Sequence, residues 1–361
     1  MTKALRVALV GAGIMSRHLV GYRWRPDLFD LKVLCSLDVE RGRALCDEYD
    51  VPEFTEDFQS LLRRDDIDVV DIATPPGLHF EMCRDALLAG KHVICEKPLF
   101  GSVAEVDEME KIVAGTDRQL MPIFQYRYGM GLQKLKHLVD SGIAGKAYST
   151  TIETHWWRPP AYYEVPWRGK WATELGGGFL GHAIHAHDML NYIHGNTASV
   201  FAYGATLLNA IEVEDTMVAA VRMENGSLAT LSMTLTSRQE ISRLRFCFEN
   251  LVAESTLEPY TMSRDPWTFV TNDPALQVRI DAALAEIPTT EDGYTRQFEL
   301  FHEAVTTGTE LPVTLADARR SLELVTGAYY SARTGQPAQL PITAEHPLYR
   351  SWVPQANSRA A

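Results

Sequence analysis

The chain is poor in cysteine, and its cysteines do not form the pattern of a disulfide-built protein. The 361 residues contain five, an odd number without a CxxC pair: Cys35, Cys46, Cys83, Cys95 and Cys247. Disulfide scaffolds carry many cysteines, usually in even numbers, in short secreted chains. The sequence therefore predicts a reducing compartment, with the thiols buried as small apolar side chains.

Long apolar runs and positive charge are also scarce. No run reaches the roughly 18 apolar residues of a membrane span, and residues 1–5 do not start a charged, apolar and cleavable leader. Lysine and arginine number 34 against 47 aspartates and glutamates, a net charge of −13. Such an acidic balance is untypical of proteins that bind nucleic acid or anionic membranes. We expect a cytoplasmic protein with neither kind of partner.

Short apolar runs alternate with helical patterns in the first third of the chain. Five runs are predicted as strands: Leu5–Val10, Leu31–Cys35, Val69–Ala73, His92–Cys95 and Gln119–Phe124. Helices are predicted between them: Met15–Tyr22, Val39–Tyr49, Phe58–Leu62, His79–Ala89 and Val103–Val113. Buried strands separated by helices form parallel sheets with right-handed crossovers. We therefore predict an α/β, doubly wound Rossmann domain over residues 1–124.

The pattern changes in the remaining residues, 125–361. Apolar and polar residues alternate in five runs that are predicted as strands: Tyr148–Trp156, Val200–Leu207, Thr216–Arg222, Ser227–Thr236 and Arg243–Phe248. Asn225-Gly226 between two of them is typical of a hairpin turn, as in an antiparallel meander. Helices are predicted at Leu132–Ser141, Gly181–Ile193, Tyr294–Thr306 and Leu315–Thr334. The sequence thus predicts a C-terminal α+β domain with an open, mainly antiparallel sheet.

A glycine turn follows the first predicted strand. The segment reads Gly11-Ala12-Gly13-Ile14-Met15-Ser16, a G-x-G-x-x-G pattern with serine at its last position. Two glycines permit a tight turn and bring a pyrophosphate close to the N–H groups of the following helix. We predict that Gly11, Gly13, Ile14 and Met15 bind a dinucleotide. The alternative is an ordinary strand-to-helix turn.

The end of the second predicted strand bears on the choice between NAD and NADP. An NAD-type fold places an acidic side chain there to bind the adenosine ribose, but strand-end counting gives Ser36. Serine does not repel a 2′-phosphate, and Arg41 follows within reach to pair with one. This charge pattern favours NADP over NAD. In the alternative interpretation, Asp38 is a helix N-cap and Arg41 a solvated cation.

Four further motifs narrow the interpretation. They are Thr74-Pro75-Pro76 with His79, Glu96-Lys97-Pro98, Gln125-Tyr126-Arg127-Tyr128, and Gly176-Gly177 followed by His185-Ala186-His187-Asp188. Together they resemble the Gfo/Idh/MocA oxidoreductase family, which includes glucose-fructose oxidoreductase and inositol dehydrogenase. The resemblance runs from Leu5 to about Ile342.

This resemblance implies an NAD(P)-dependent dehydrogenase or reductase. Its substrate would be a CH–OH group of a sugar, an inositol or a related polyol, held against the open sheet of the second domain. The same sheet would form a homodimer or homotetramer. The further cofactor contacts that the resemblance implies are Thr74, Pro75, His79, Glu96, Lys97, Gln125, Trp167 and Arg168.

The resemblance also assigns the proton chemistry to Lys97 and His185. Histidine is a natural base near neutral pH for the proton that alcohol oxidation releases, and a desolvated lysine stabilises charge on the oxygen. Many members carry Asp or Asn four residues before the histidine, where this chain has Gly181. The neighbouring His182 is three residues from His185, which predicts a shared helix face and an assisting role. Alternatively, Lys97 only caps a strand and one histidine lies in the core.

Histidine and aspartate in this segment are also metal ligand types. His182 and His185 have a spacing that can place two nitrogens on one cation, but no third ligand shares their face. We therefore predict no metal site.

Aromatic and cationic residues interleave in residues 155–171, which hold four of the seven tryptophans. Aromatic faces stack on sugar rings, and Arg or Lys binds hydroxyl or anionic groups. The substrate contacts predicted, besides Lys97, His182 and His185, are Tyr126, Arg127, Trp157, Arg158 and Lys170. Three cations at positions 158, 168 and 170 of an acidic chain suggest an anionic substrate. The alternative is a packed β-bulge with core aromatics.

Two other functions fit the same scaffold. One is a redox-neutral enzyme of the glycosidase or epimerase type that retains NAD(P), which the glycine at position 181 makes more plausible. The other is a non-catalytic nucleotide-sensing protein. The presence of both Lys97 and His185 argues against the second.

Overall fold

A computed structural model describes residues 3–354, which group by their packing into two units. The first unit comprises residues 3–100, 105–128 and 290–318. The second comprises residues 101–104, 129–289 and 319–354. Residues 290–318 thus pack with the first unit, which a single boundary after residue 124 does not anticipate.

The first unit is built on six parallel strands. They are β1 (Leu5–Val10), β2 (Phe29–Cys35), β3 (Glu53–Thr55), β4 (Val69–Ile72), β5 (His92–Cys95) and β6 (Leu120–Pro122). Their order in the sheet is β3-β2-β1-β4-β5-β6, with every neighbouring pair parallel. This is the doubly wound strand order: β2 and β3 are added on one side of β1, and β4, β5 and β6 on the other side. The predicted Rossmann sheet is confirmed, with one additional strand, β3.

Helices connect these strands, and their starts follow the sequence signals. They are α1 (Met15–Arg23), α2 (Val39–Tyr49), α3 (Phe58–Leu62), α4 (His79–Leu88) and α5 (Val103–Ala114). Aspartates cap two of them, since Asp38 accepts the Arg41 N–H and Asp57 accepts the Ser60 N–H. Strands β4 and β5 are buried throughout, as expected for parallel strands covered by helices on both faces.

The second unit carries an open sheet of eight strands. They are β7 (Ala147–Trp157), β8 (Thr197–Ala205), β9 (Thr216–Met223), β10 (Leu228–Thr234), β11 (Thr236–Phe248), β12 (Val252–Glu254), β13 (Thr268–Val270) and β14 (Ala338–Gln339). Their order is β13-β12-β11-β7-β10-β9-β8-β14. All neighbours are antiparallel except β7 and β10.

One pair of strands departs from the antiparallel order of a meander. Strand β10 forms the predicted hairpin with β9, but its other edge pairs in parallel with β7, from Leu228 opposite Ser149 to Thr234 opposite His155. Hairpin turns specify only the pairing of consecutive strands. The contact between β10 and a strand far earlier in the chain has no local signal. The sheet remains mainly antiparallel, as predicted.

Seven α-helices of the described chain follow β6. They are α6 (Met130–Asp140), α7 (Trp171–Glu174), α8 (Gly178–Gly181), α9 (Ile184–His194), α10 (Pro274–Ala285), α11 (Gly293–Thr307) and α12 (Leu315–Thr334). Helix α10 was not predicted, although Asp273 caps it and Pro274 occupies its first turn. Helix α11 belongs to the first unit, where Phe298 stacks on Tyr22 with ring centroids 4.3 Å apart.

The two faces of the open sheet differ in character. Along β9, Met217, Val221 and Met223 are buried, whereas Val218 and Arg222 on the opposite face are exposed. This alternation is that of a sheet with one face on the core. Within residues 3–354, no helix has both the length and the apolar character needed to cross a membrane.

Candidate active site

The glycine turn has the geometry that a pyrophosphate needs. Gly11 has φ +105°, and a Cβ there would lie 2.5 Å from the carbonyl oxygen of Ala73, so only glycine fits. At Gly13 the corresponding space is open, with no atom within 4 Å. Helix α1 begins at Met15 without a side-chain cap and without acid in its first turn. The N–H groups in the first turn of α1 therefore suit an anion, and the pyrophosphate expected from the motif remains a prediction.

The residues predicted to choose between NAD and NADP lie beside this turn. The Ser36 hydroxyl accepts the Asp38 N–H at 3.0 Å, and Asp38 caps helix α2. The guanidinium of Arg41 donates to the carbonyl oxygen of Gly13 at 2.6 Å. Asp38 is thus a helix N-cap, as in the alternative interpretation. Arg41, in contrast, is hydrogen-bonded to the glycine turn and is not merely a solvated cation. Their roles toward a 2′-phosphate remain a prediction.

His79 connects the loops that follow β4 and β5. It is fully buried, with Nε2 2.9 Å from the Thr74 carbonyl oxygen and Nδ1 3.0 Å from that of Pro98. Burial lowers the pKa of His79, although these carbonyl oxygens oppose the effect. Because the side chain is fully buried, any effect of His79 on a cofactor passes through the two loops. Thr74 and Pro75 themselves lie at the exit of β4, half-buried.

Glu96 holds the backbone of Lys97 at the end of β5. The Glu96 side chain is buried, and its Oε2 accepts the Lys97 N–H at 2.9 Å. Its Oε1 accepts the hydroxyl of Tyr294 at 2.6 Å and lies 3.0 Å from His18 Nε2. Burial alone would raise the pKa of Glu96, but His18, Lys97 and Tyr294 outweigh it and lower the pKa to about 2. The side chain of Lys97 is half-buried.

His18 joins two buried carboxylates, and no sequence motif pointed to it. Its Nδ1 lies 2.8 Å from Asp71 on β4, and its other nitrogen faces Glu96. Burial opposes charge on His18, but the charge and hydrogen bonds of these two acids raise its pKa to about 10. The only signal was a histidine within the apolar pattern of α1. That signal does not separate a core residue from a charged one.

The histidine segment of the second unit is not one helix. Helix α8 ends at Gly181, α9 begins at Ile184, and His182 lies between them. The prediction that His182 and His185 share a helix face is therefore wrong. Glycine has low helix propensity, and the glycines at both ends of α8 favour a break. His185 lies on α9 and is buried.

His187 is the core histidine of this segment. It is fully buried and packs edge-on against Phe179 with ring centroids 4.1 Å apart. Burial lowers the pKa of His187 to about 3, so it is neutral at physiological pH. Its environment confirms that one histidine of the segment belongs to the core.

Glu214 organises the glycine turn that precedes α8, and no sequence motif pointed to it. It accepts the N–H groups of Gly177 and Phe179 at 3.1 and 3.0 Å and the Tyr329 hydroxyl at 3.0 Å. A Cβ on Gly177 would lie 1.9 Å from the Glu214 carbonyl oxygen, which explains this glycine. Burial raises the pKa of Glu214 to about 7 despite these hydrogen bonds.

Two of the three predicted anion-binding cations already face acidic partners. Arg158 is 3.2 Å from Glu240, and Arg168 is 3.7 Å from Glu174. Lys170 is exposed at the start of α7. The charges of both arginines are therefore compensated within the second unit, which weakens the sequence argument for an anionic substrate.

Tyr162 links the tryptophan-rich segment to the histidine segment, and sequence analysis did not single it out. Its hydroxyl accepts a hydrogen bond from Arg168 and lies 3.3 Å from His182 Nε2. The ring of His182 also meets Trp156 edge-on, with centroids 5.8 Å apart. The structure thus brings Arg168 and His182 into one group of contacts. Trp157 instead packs under the guanidinium of Arg238, 3.9 Å away.

The segment after β6 is mostly buried within the first unit. Arg127 is 4% exposed and lies 3.0 Å from Asp317, so its charge is already paired. Gln125 is also buried, whereas Tyr126 is partly exposed. Of the three side chains, that of Tyr126 is the most exposed. Across the described residues 3–354, no three His, Cys, Asp or Glu side chains are grouped to hold a metal ion.

Two family models match the chain. The one described as "Oxidoreductase family, NAD-binding Rossmann fold" matches residues 5–124. The one described as "GFO/IDH/MocA C-terminal domain" matches residues 132–251. These matches cover the Rossmann sheet and most strands of the open sheet.

Individual proteins show the same likeness along nearly the whole chain. D-glucoside 3-dehydrogenase of Escherichia coli K12 is 29% identical, over 93% of this chain and 97% of that protein. The uncharacterized oxidoreductase YrbE of Bacillus subtilis is 27% identical, over 94% and 98%. The structure of the WlbA dehydrogenase from Bordetella pertussis in complex with NADH and UDP-GlcNAcA is 27% identical, with a TM-score of 0.83, covering 94% of this chain and 100% of that one. With both units matched, the chain belongs to the GFO/IDH/MocA family of oxidoreductases and carries its NAD-binding Rossmann fold.

Proposed function

We propose that this protein is an NAD(P)-dependent dehydrogenase or reductase that acts on a CH–OH group of a sugar, an inositol or a related polyol. One observation carries the proposal. The glycine turn, Thr74 and Lys97 follow β1, β4 and β5, which are neighbours in one parallel sheet. Carboxyl ends of such strands form the ligand edge of doubly wound folds. The names of the relatives, a glucoside dehydrogenase and an NADH-complexed dehydrogenase, support the same reaction class.

The cofactor assignment follows from the residues at that edge. The tight turn at Gly11, the open space at Gly13 and the uncapped start of α1 fit a pyrophosphate. Bound nicotinamide dinucleotide would supply the hydride acceptor for alcohol oxidation. We propose NADP ahead of NAD, because Ser36 brings no negative charge and Arg41 is held beside the turn.

Lys97 and His185 carry the proton chemistry in this proposal. Lys97 donates a hydrogen bond to the reacting oxygen and stabilises the negative charge that develops there. His185 accepts the hydroxyl proton, the general-base role that a neutral imidazole commonly fills. His182 assists it, with the Tyr162 hydroxyl 3.3 Å from its Nε2. His182 and His185 belong to the segment in which many relatives carry an acidic or amide side chain, at the position of Gly181 in this chain.

We propose a neutral, hydroxyl-rich substrate. Glu240 and Glu174 compensate Arg158 and Arg168, which leaves Lys170 as the exposed cation of the three. The partly exposed aromatic rings of Trp167 and Tyr162 suit the apolar faces of a sugar ring, whereas Trp156 is buried. Hydroxyl groups hydrogen-bond to neutral partners and need no net positive charge.

The same open sheet supports a homodimer or homotetramer. Its outer face exposes Tyr203, Val218 and Leu228, which lie on three neighbouring strands. Exposed apolar side chains on one continuous face favour burial against a second copy. Sedimentation of the purified protein tests this, since a monomer at micromolar concentration would contradict it. The cytoplasmic location expected from the sequence remains a prediction.

A redox-neutral enzyme is the second candidate, and Gly181 is the observation that favours it. The two functions differ in whether the nicotinamide changes during net turnover. A panel of sugars, glycosides and inositols is incubated with the protein and NAD or NADP, and nicotinamide absorbance and products are followed together. We expect reduced nicotinamide in proportion to product. Product without a change in absorbance would support the redox-neutral enzyme instead.

A further inference from the structure

A buried histidine outside the proposed chemistry contacts the motif that contains Lys97. His18 lies on α1 and has no exposed surface. Its Nδ1 is 2.8 Å from Asp71 Oδ2, and its Nε2 is 3.0 Å from Glu96 Oε1. The rings of Tyr294 and Phe298 pack against it, with centroids 4.6 and 5.7 Å away. Both ring nitrogens therefore face carboxyl groups, and aromatic rings pack around the imidazole.

The hydrogen-bond inventory of this cluster favours a charged imidazole. A neutral imidazole has one N–H group and serves one carboxylate, whereas an imidazolium donates to both. Each carboxylate already accepts a tyrosine hydroxyl, Asp71 from Tyr22 at 2.8 Å and Glu96 from Tyr294 at 2.6 Å. Two buried carboxylates without a cation between them would repel each other and pay a large desolvation cost. The raised pKa of His18 and the lowered pKa of Glu96 agree with this arrangement.

The cluster continues into the backbone of Lys97. Glu96 uses Oε1 for His18 and Tyr294 and Oε2 for the Lys97 N–H, 2.9 Å away. A carboxylate held at one oxygen by two donors has little freedom to rotate, so its other oxygen has a fixed position. The peptide that starts at Lys97 is thereby tied to α1 and, through Asp71, to the middle of the sheet.

We propose that His18, as a buried imidazolium ion between Asp71 and Glu96, is a positioning residue for Lys97. It fixes the Glu96 carboxylate that accepts the Lys97 N–H, and it compensates the negative charge next to the lysine. His18 does not touch substrate or cofactor. The kinetic part of this inference rests on the proposed function, whereas its charge and backbone parts do not.

The charge state is tested on the unaltered protein. Histidine ring nitrogens are labelled with ¹⁵N, and their shifts are recorded from pH 6 to pH 9 by NMR. His18→Gln identifies the signal by its absence, and Tyr294→Phe, which perturbs the same site, identifies it if the first variant does not fold. We expect both nitrogens of His18 to stay protonated over this range. A neutral ring, or titration near the ordinary pKa of histidine, would overturn the proposal.

Positioning is tested by amide exchange and by kinetics. In His18→Gln, hydrogen exchange at the Lys97 amide should accelerate, and kcat should fall by about 10- to 100-fold, the usual effect of losing a supporting partner. Cofactor affinity should change much less. Tyr294→Phe should also accelerate exchange at the Lys97 amide and lower kcat, each by a smaller factor. Tyr22→Phe is the matched control, since it removes a hydroxyl from Asp71 and leaves both hydrogen bonds to Glu96.

A double variant separates positioning from an independent effect. If His18 acts through Glu96, His18→Gln combined with Glu96→Gln should be no slower than Glu96→Gln alone. Multiplied losses, or unchanged exchange at the Lys97 amide, would overturn the positioning role. If the wild-type protein oxidises no alcohol, the proposed function fails, while the NMR and exchange results still decide the inference about His18.

Discussion

The guanidinium of Arg41 donates a hydrogen bond to the carbonyl oxygen of Gly13, 2.6 Å away. The residues are 28 positions apart, and the contact joins the start of α2 to the glycine turn before α1. Arg41 is exposed, so its remaining donors are available to a ligand at the turn. The contact holds Arg41 beside the glycine turn, and the preference for NADP remains a prediction.

Substitution of Arg41 should separate the two cofactors. We expect Arg41→Ala to weaken NADP binding by about tenfold or more, the worth of a charged contact to phosphate, and to change NAD binding little. Ser36→Asp should act in the same direction by repelling the 2′-phosphate. Fluorescence titration with each cofactor measures both. Arg43→Ala, an exposed arginine on the same helix, is the control, and equal losses for NAD and NADP in Arg41→Ala would refute the assignment.

Loss of the proposed proton-handling groups should affect turnover far more than cofactor binding. Lys97→Ala and His185→Ala should each lower kcat by about two to four decades, the usual effect of removing a proton-transfer or electrostatic group. Steady-state kinetics and cofactor titration measure the two quantities. His137→Ala, an exposed histidine on α6, is the control. Near-normal kcat in both variants would remove these residues from the chemistry.

The buried His18 cluster should make stability depend on pH at the alkaline side. The pKa of His18 rises from 6.5 to about 10 on folding. The protonated His18 therefore adds its full contribution to the free energy of unfolding below pH 6.5. This contribution, about 5 kcal/mol at most, is lost as the pH rises through 10. For Glu96, whose pKa falls to about 2, the contribution is complete above pH 4.5 and lost as the pH falls toward 2.

Urea unfolding from pH 6.5 to pH 10 tests this expectation. The free energy of unfolding should fall with pH more steeply in the wild-type protein than in His18→Gln. His137→Gln should keep the wild-type slope, because its histidine is exposed on α6. Parallel profiles for wild type and His18→Gln would mean that His18 is not charged in the folded protein.

The charge of the substrate is tested at Lys170 and Arg158. We expect Lys170→Ala to change KM for an anionic sugar and for its neutral analogue by the same factor. Glu240→Gln removes the partner 3.2 Å from Arg158 and should shift the preference toward the anionic analogue. A KM increase confined to the anionic substrate in Lys170→Ala would restore the interpretation of the segment as an anion clamp.

Much of the fold follows from local sequence patterns. The bounds of β1, β5, α2, α3 and α12 agree with the predicted ones, because apolar runs and helix caps mark both ends. Strand β3, Glu53–Thr55, contains one apolar residue and left no such signal. The parallel pairing of β10 with β7 and the packing of α11 on α1 depend on contacts distant in the chain, which local patterns do not encode.

The candidate site was predictable in its motifs and not in its supporting contacts. Glycine spacing and the Glu96-Lys97-Pro98 motif marked the edge of the first sheet that the proposed function assigns to the cofactor. His18, Glu214 and Tyr162 stand in no motif, since each acts through partners far away in the chain. The spacing of His182 and His185 predicts a shared helix face only in a continuous helix, and the helix is broken between Gly181 and Ile184. The partners of Arg158 and Arg168 likewise became visible only in the folded chain.

Transfer of deuterium from substrate to nicotinamide tests the central claim most directly. A sugar or inositol that the substrate panel identifies is prepared with deuterium at the reacting carbon, and the nicotinamide product is analysed by mass spectrometry. The account predicts reduced cofactor that carries one deuterium per molecule of oxidised product formed, at a rate that falls by about two to four decades in Lys97→Ala. Substrate consumed without labelled, reduced nicotinamide would contradict a dehydrogenase and favour the redox-neutral enzyme.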